Sequence, residues 1–174
     1  MPIVLSALSR VQAETPAVML QAAEARLQEA ETLFAAQHWD GAVYLAGYVA
    51  EMLLKVAFCN LDPAFPVGNA VSSAFGPAVD LWRGPSRLIP LPPLHAHNLL
   101  FWETVLRSRR GSSSVGSMEW GNAILMSQHL NTIRLHWQVE LRYQSPLATQ
   151  DEAQAVCAAA RWLFDNRKSF GIAN

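Results

Sequence analysis

Charge is scarce in this chain. Only 16% of its 174 residues are Asp, Glu, Lys or Arg, against 51% hydrophobic residues and a mean hydropathy of +0.12. That is apolar for a soluble protein, and it implies that some apolar surface is covered between subunits, most economically in a homodimer. Cysteine is limited to Cys59 and Cys157. Both stand among apolar neighbours, as reduced core thiols of a cytosolic protein do. Neither CxxC nor HExxH spacing occurs, which leaves zinc without a ligand set. No apolar run reaches the roughly 18–20 residues of a membrane span, because Glu51 and Lys55 interrupt the best candidate. A glycine-rich phosphate loop is missing too: the Gly111–Gly116 stretch is serine-rich, follows no strand and lacks the Lys–Ser/Thr ending. Ser112, Ser113 and Ser114 therefore read as linker rather than nucleophiles.

Lysine is rarer still. Eleven arginines stand against two lysines, a bias that, with abundant alanine, points to a GC-rich bacterial source and says nothing about mechanism. The net charge of −1 is too low for a dedicated duplex-DNA binder. Its distribution is uneven, however: residues 1–80 carry eight acids and three bases, and residues 81–174 six acids and ten bases. A basic half can attract nucleotide phosphate or an acidic partner, or complement the other half of the fold.

The periodicity is helical, with no alternating strand pattern. The start, MPIVLSALSRVQAE, reads as an arm (residues 1–14) rather than a signal peptide, since no base precedes its apolar stretch and Arg10 lies within it. Thr15 and Pro16 open a first helix whose inner stripe is Leu20, Ala23, Leu27, Ala30 and Phe34. A short break at Gln37–Asp40 turns the chain back into a second helix. From Asn60 to Ala96 the pattern collapses over seven of the ten prolines, predicting an insertion (residues 60–96) with short helix between Asn69 and Trp82 and extended chain after it. A third helix spans about Asn98 to Arg107. The basic, small-residue segment RSRRGSSSVGS predicts a flexible loop over residues 108–117. A long fourth helix is expected from Met118 to Tyr143, and a fifth opens at the Thr149–Glu152 capping box and stops before Gly171. The expected fold is all-α: one domain, residues 1–174, an up-and-down bundle of four to five helices with a long Pro-rich insertion between helices 2 and 3.

The second helix carries the most information. In DGAVYLAGYVAEMLLK, Leu45, Val49, Met52, Leu53 and Val56 recur at core spacing, while Tyr44, Tyr48, Glu51 and Lys55 share another face with polar tips. A single Glu–Lys pair in so apolar a run predicts charges in a partly enclosed groove, either a helix-stabilising ion pair or a site. His95 and His97 flank the start of helix 3, where they read as capping groups before metal ligands.

The order of these features resembles the HEPN family, the nucleotide-binding domain of higher eukaryotes and prokaryotes. The resemblance rests on AEARLQEAETLFAAQHWDGAVYLAGYVAEMLLKVAF, on HNLLFW and on VELRYQSPLATQDEAQAVCAAARWLF. The family's acidic–x–x–x–Lys helix matches Glu51 and Lys55, its His–polar–Leu element His97, Asn98 and Leu99, and its Arg–Tyr pair Arg142 and Tyr143. The 37 residues Asn60–Ala96 exceed the family's usual connection. Many members are metal-independent ribonucleases with an arginine four to six residues before a histidine. That spacing is absent here: Arg87 and His95 are separated by seven residues, and Arg134 precedes His136 by two positions. Without it, a general acid/base and a phosphate-stabilising cation are not delivered together.

The resemblance implies a non-catalytic module that binds a nucleotide or RNA, or partners a minimal nucleotidyltransferase in a toxin–antitoxin-like system, with no cofactor, no metal and no membrane. Tyr48, Glu51, Lys55, His97, Arg142 and Tyr143 would line its groove. Lys55 and Arg142 would meet phosphate or an acidic partner, Tyr48 and Tyr143 would stack, and Glu51 would orient the cations. Two alternatives stand beside it. One is a divergent ribonuclease using Arg134 or Arg142 with His97 or His136; the other is an oligomerisation module whose polar strip fixes helix register.

Overall fold

The computed structural model describes residues 14–62, 65–66, 68–83, 97–112, 120–143 and 146–172, and among them the chain is helical with no strand. Six α-helices follow one another: α1 (Pro16–Ala35), α2 (Trp39–Leu61), α3 (Phe75–Arg83), α4 (Leu99–Ser112), α5 (Trp120–His136) and α6 (Gln150–Asp165). Short 3-10 turns occupy Val71–Ala74, Val139–Tyr143 and Arg167–Phe170.

The centre of the fold is α2, packed against α1, α4 and α6 and, over a shorter length, α5. It is buried almost all round, from Ala42 and Val43 through Leu53 and Leu54 to Phe58 and Leu61. Composition alone would let it cross a membrane, since an 18-residue window has mean hydropathy 1.6, but 72% of that window is buried inside this molecule. Alanines bring the backbones together: Ala23 and Ala30 of α1 and Ala42, Ala46 and Ala50 of α2 are all fully buried. The reversal between α1 and α2 is tight enough to place Gln37 at φ +63°, a left-handed conformation uncommon outside glycine. The first helix starts as its sequence dictates, with Thr15 Oγ1 accepting from the Val18 amide and Pro16 in the first turn.

After α2, the described stretch Val71–Arg83 packs on the bundle. Phe75 and Trp82 meet Phe101 and Trp102, with ring centroids 5.5–6.2 Å apart, and Phe58 closes the cluster against Trp102. Burying side chains of this size contributes roughly 1.5–3 kcal/mol each. The arm at residues 1–13, Arg87, His95 and most of the serine loop fall outside the described residues.

Two expectations are corrected. The loop drawn from residue 108 starts later, because α4 continues to Ser112. Its basic residues belong to the helix end, where cations favour the C-terminal dipole: Arg109 pairs with Asp62, and Arg110 donates to the Ser169 carbonyl at 2.8 Å. The long fourth helix also ends early. It stops at His136, and the chain passes through Trp137 and Gln138 before the 3-10 turn Val139–Tyr143. Where it ends, the Trp137 indole turns into the core and donates from Nε1 to the Tyr44 carbonyl at 3.0 Å.

Polar ties fix α6. Its Thr149–Glu152 capping box is formed in both directions, Arg161 makes a two-point bond to Glu31 of α1 at 2.6 and 2.8 Å, and Asp40 Oδ1 accepts from the Leu147 and Ala148 amides at 3.0 and 2.7 Å. Gly171, at φ +87°, caps the 3-10 turn that follows α6 rather than α6 itself.

Candidate functional site

Glu51 projects from the middle of α2 and is 3% exposed. A carboxylate so deep must be paired or give up its charge. Two groups meet it. Lys55, one turn along the same helix, pairs with Oε1, and His97 Nδ1 lies 2.9 Å from Oε2 and 3.1 Å from Oε1. Lys55 is itself enclosed, its side chain 14% exposed and its ammonium 5.6 Å from the Trp102 ring centre. The ring of His97 is 46% exposed and so joins the buried carboxylate to solvent.

His97 does not cap α4. That task falls to Asn98, whose Oδ1 accepts from the Phe101 amide at 3.1 Å. With the cap supplied by its neighbour, His97 is free to turn toward α2. Tyr48 packs edge-on against the His97 ring at 6.1 Å and against Trp137 at 5.5 Å, and its hydroxyl accepts from Tyr44 at 3.3 Å. Gly47 makes the arrangement fit, because a Cβ there would overlap the Trp137 indole.

In front of His97 lies a cleft of about 590 Å³, lined by His97 and Asn98, by Leu99 and Leu100 at the start of α4, by Arg134 of α5, and by Trp137–Glu140. The volume is that of a small-molecule site. Arg134 is its cation and Glu140 its acid. Tyr48, Glu51, Lys55 and His97 are thus in contact with one another, but Glu51 and Lys55 stand behind His97 rather than on the cleft wall. The backbone of Arg142 and Tyr143 continues from that wall in the 3-10 turn, and their side chains lie outside what is described. His136 points elsewhere, with Nδ1 3.5 Å from Glu152 Oε1 at the start of α6.

Sequence reasoning missed Glu103, with Glu51 one of two buried acids among the described residues, 5% exposed on α4. Ser127 Oγ donates to its Oε1 at 2.7 Å, Arg107 Nη1 lies 3.6 Å from the same oxygen, and Arg134 Nη1 lies 3.9 Å from Oε2. Its signal was present: Glu103 is the lone acid in HNLLFWETVLR, on a helix buried at Leu99, Trp102 and Leu106. It is the buried negative charge beside Arg134 at the cleft.

Nucleophile chemistry has little support from the cysteines. Burial pushes the Cys59 thiol up to about 12 and the Cys157 thiol up to about 11, so both stay protonated and unreactive near neutrality. Among the described residues no three His, Cys, Asp or Glu side chains converge as metal ligands. Compared with protein-family models, curated proteins and solved structures, the chain matches none.

Proposed function

We propose that this chain is a non-catalytic, HEPN-like module, an up-and-down bundle acting as a homodimer, that binds a nucleotide or the phosphate of an RNA in the His97–Arg134 cleft. Its setting would be as companion of a minimal nucleotidyltransferase in a bacterial, cytoplasmic toxin–antitoxin-like pair. The observation that supports the binding role is the placement of a half-exposed imidazole and a guanidinium on one cleft, each beside a buried carboxylate that it shares with a second basic side chain. Side chains so positioned need little reordering when an anion arrives. Glu140 on the same wall disfavours a long polyanion and favours a small ligand with one phosphate-bearing end.

The test is a thermal-shift and calorimetric screen of nucleotides and short RNAs at millimolar concentration. A ligand present at 100 times its Kd adds about 2.7 kcal/mol, or roughly 5–10 °C for a chain of this size. Arg134→Ala and His97→Ala should each abolish the shift. No stabilisation by any nucleotide would overturn the binding role.

A second reading draws on the same placement. His97 and Arg134 are a general acid/base and a cation in one cleft, which is what a metal-independent ribonuclease needs. RNA cleavage by the purified chain that disappears in both variants would replace the non-catalytic reading.

A further inference from the structure

Along α5, Ile124, Gln128, Asn131 and Leu135 are spaced by four, three and four residues, so they line one face of the helix. All four are exposed, Ile124 to 53% and Leu135 to 70%. These are large apolar side chains to leave in water, and nothing on the stripe is charged. Read from either end, the order is the same: apolar, amide, amide, apolar. A two-fold axis crossing the helix midway between residues 129 and 130 exchanges Ile124 with Leu135 and Gln128 with Asn131.

We propose that the partner seated on this face is a second copy of the chain, with α5 lying antiparallel against α5. In that arrangement Ile124 meets the other copy's Leu135, and Gln128 meets its Asn131, at both ends of the axis. Each amide carries donors and acceptors, so each pair satisfies itself. An uncharged stripe closes on itself without like-charge repulsion, and an isologous contact demands that self-complementarity. Shape agrees with the pattern. Beside the stripe is a hollow of about 350 Å³ lined by Arg107, Ala123, Ile124, Ser127, Gln128 and Asn131, and Leu135 is the knob that fills it from the facing copy. A nucleic acid would meet no aromatic ring or cation on the stripe itself, and a lipid surface would meet two amides at its centre. This inference rests on the homodimeric part of the proposed function and names the face that forms it.

One helix per protomer places the contact at the small end of interfaces, below about 1,200 Å² in total, so association is expected in the micromolar range. Sedimentation velocity on the full chain from about 1 to 200 μM brackets that range. The wild type should pass from monomer to dimer, and Ile124→Glu and Leu135→Glu should each remain monomeric with unchanged circular dichroism and melting temperature. The double variant Ile124→Lys/Leu135→Glu should dimerise again, because the antiparallel pairing sets opposite charges face to face. A wild type that stays monomeric, or a dimer indifferent to both single variants, would overturn the proposal. A double variant that stays monomeric would overturn the antiparallel order. Nucleotide binding is read by a separate assay, so its failure leaves this result standing.

Discussion

Replacing Gly47 with alanine sets two opposed effects against each other. In an ordinary helix interior the change stabilises by roughly 1 kcal/mol, because glycine gives up the most backbone freedom on folding. Here the new methyl would overlap the Trp137 indole. That ring is buried, and overpacking a filled core costs roughly 1–3 kcal/mol. Shifting it also breaks the 3.0 Å bond from Nε1 to the Tyr44 carbonyl, and a buried donor left without a partner costs roughly 1–3 kcal/mol. The edge contact with Tyr48 is lost as well, worth roughly 0.5–1.5 kcal/mol. The steric side wins by about 1.5–6.5 kcal/mol after propensity is subtracted, so Tm should fall by roughly 3–25 °C. Urea denaturation followed by circular dichroism measures it, and indole fluorescence reports the displaced ring. The partner change Trp137→Leu should recover part of the loss in the double variant. A Gly47→Ala protein as stable as its parent would show that propensity decides this position and that the indole has room to move.

Other outcomes follow from the buried charges and thiols. Glu51→Ala leaves the enclosed Lys55 ammonium without its carboxylate, and breaking a buried pair from one side costs roughly 3–5 kcal/mol; Glu51→Leu/Lys55→Met should recover most of this in chemical denaturation, and a harmless Glu51→Ala would contradict the pairing. The thiols predict alkaline sensitivity. Both Cys59 and Cys157 are protonated at neutral pH folded or unfolded, so they contribute nothing there. Once pH passes the ordinary thiol value of 9.0 the unfolded chain loses protons that the folded chain keeps. Stability should therefore decline above about pH 9, by up to about 1.4 kcal/mol per pH unit for each cysteine. A Cys59→Ala/Cys157→Ala variant should show a flatter profile between pH 8.5 and 10, and identical profiles would dismiss the burial argument. Asp40→Ala releases the two amides that Asp40 holds ahead of α6. Hydrogen exchange at Leu147 and Ala148 should accelerate, and unchanged protection there would refute the clamp.

The helices with strong local signals were legible, and for local reasons. Thr15–Pro16 and the Thr149–Glu152 box fix two starts within a few residues, whatever lies elsewhere. Leu99, Trp102 and Leu106, and Met126, Leu130 and Ile133, step by three and four along the sequence, and these six are buried. What failed were ends set from a distance. The chain after His136 places Trp137 against Gly47, some ninety residues upstream, and the last turns of α4 meet Asp62 and Ser169; contacts this distant leave no local mark in the sequence. In the candidate site, Glu51 and Lys55 were readable because one helix carries both, four residues apart. Glu103 was marked as a lone acid on a buried helix, but its partners were not readable, since Ser127 and Arg134 reach it from another helix.

Glu103 has a consequence beyond holding one arginine. Its two oxygens face different guanidiniums, Arg134 at the larger cleft and Arg107 at the hollow beside the α5 stripe. One negative charge is divided between two positive ones, so the two surfaces have a common counter-ion. An anion that draws Arg134 outward leaves more of that charge to Arg107, and a subunit that crowds Arg107 leaves more to Arg134. If the proposed anion binding and the proposed dimer both form, this carboxyl group links them, and by thermodynamic reciprocity each would then change the other by the same factor.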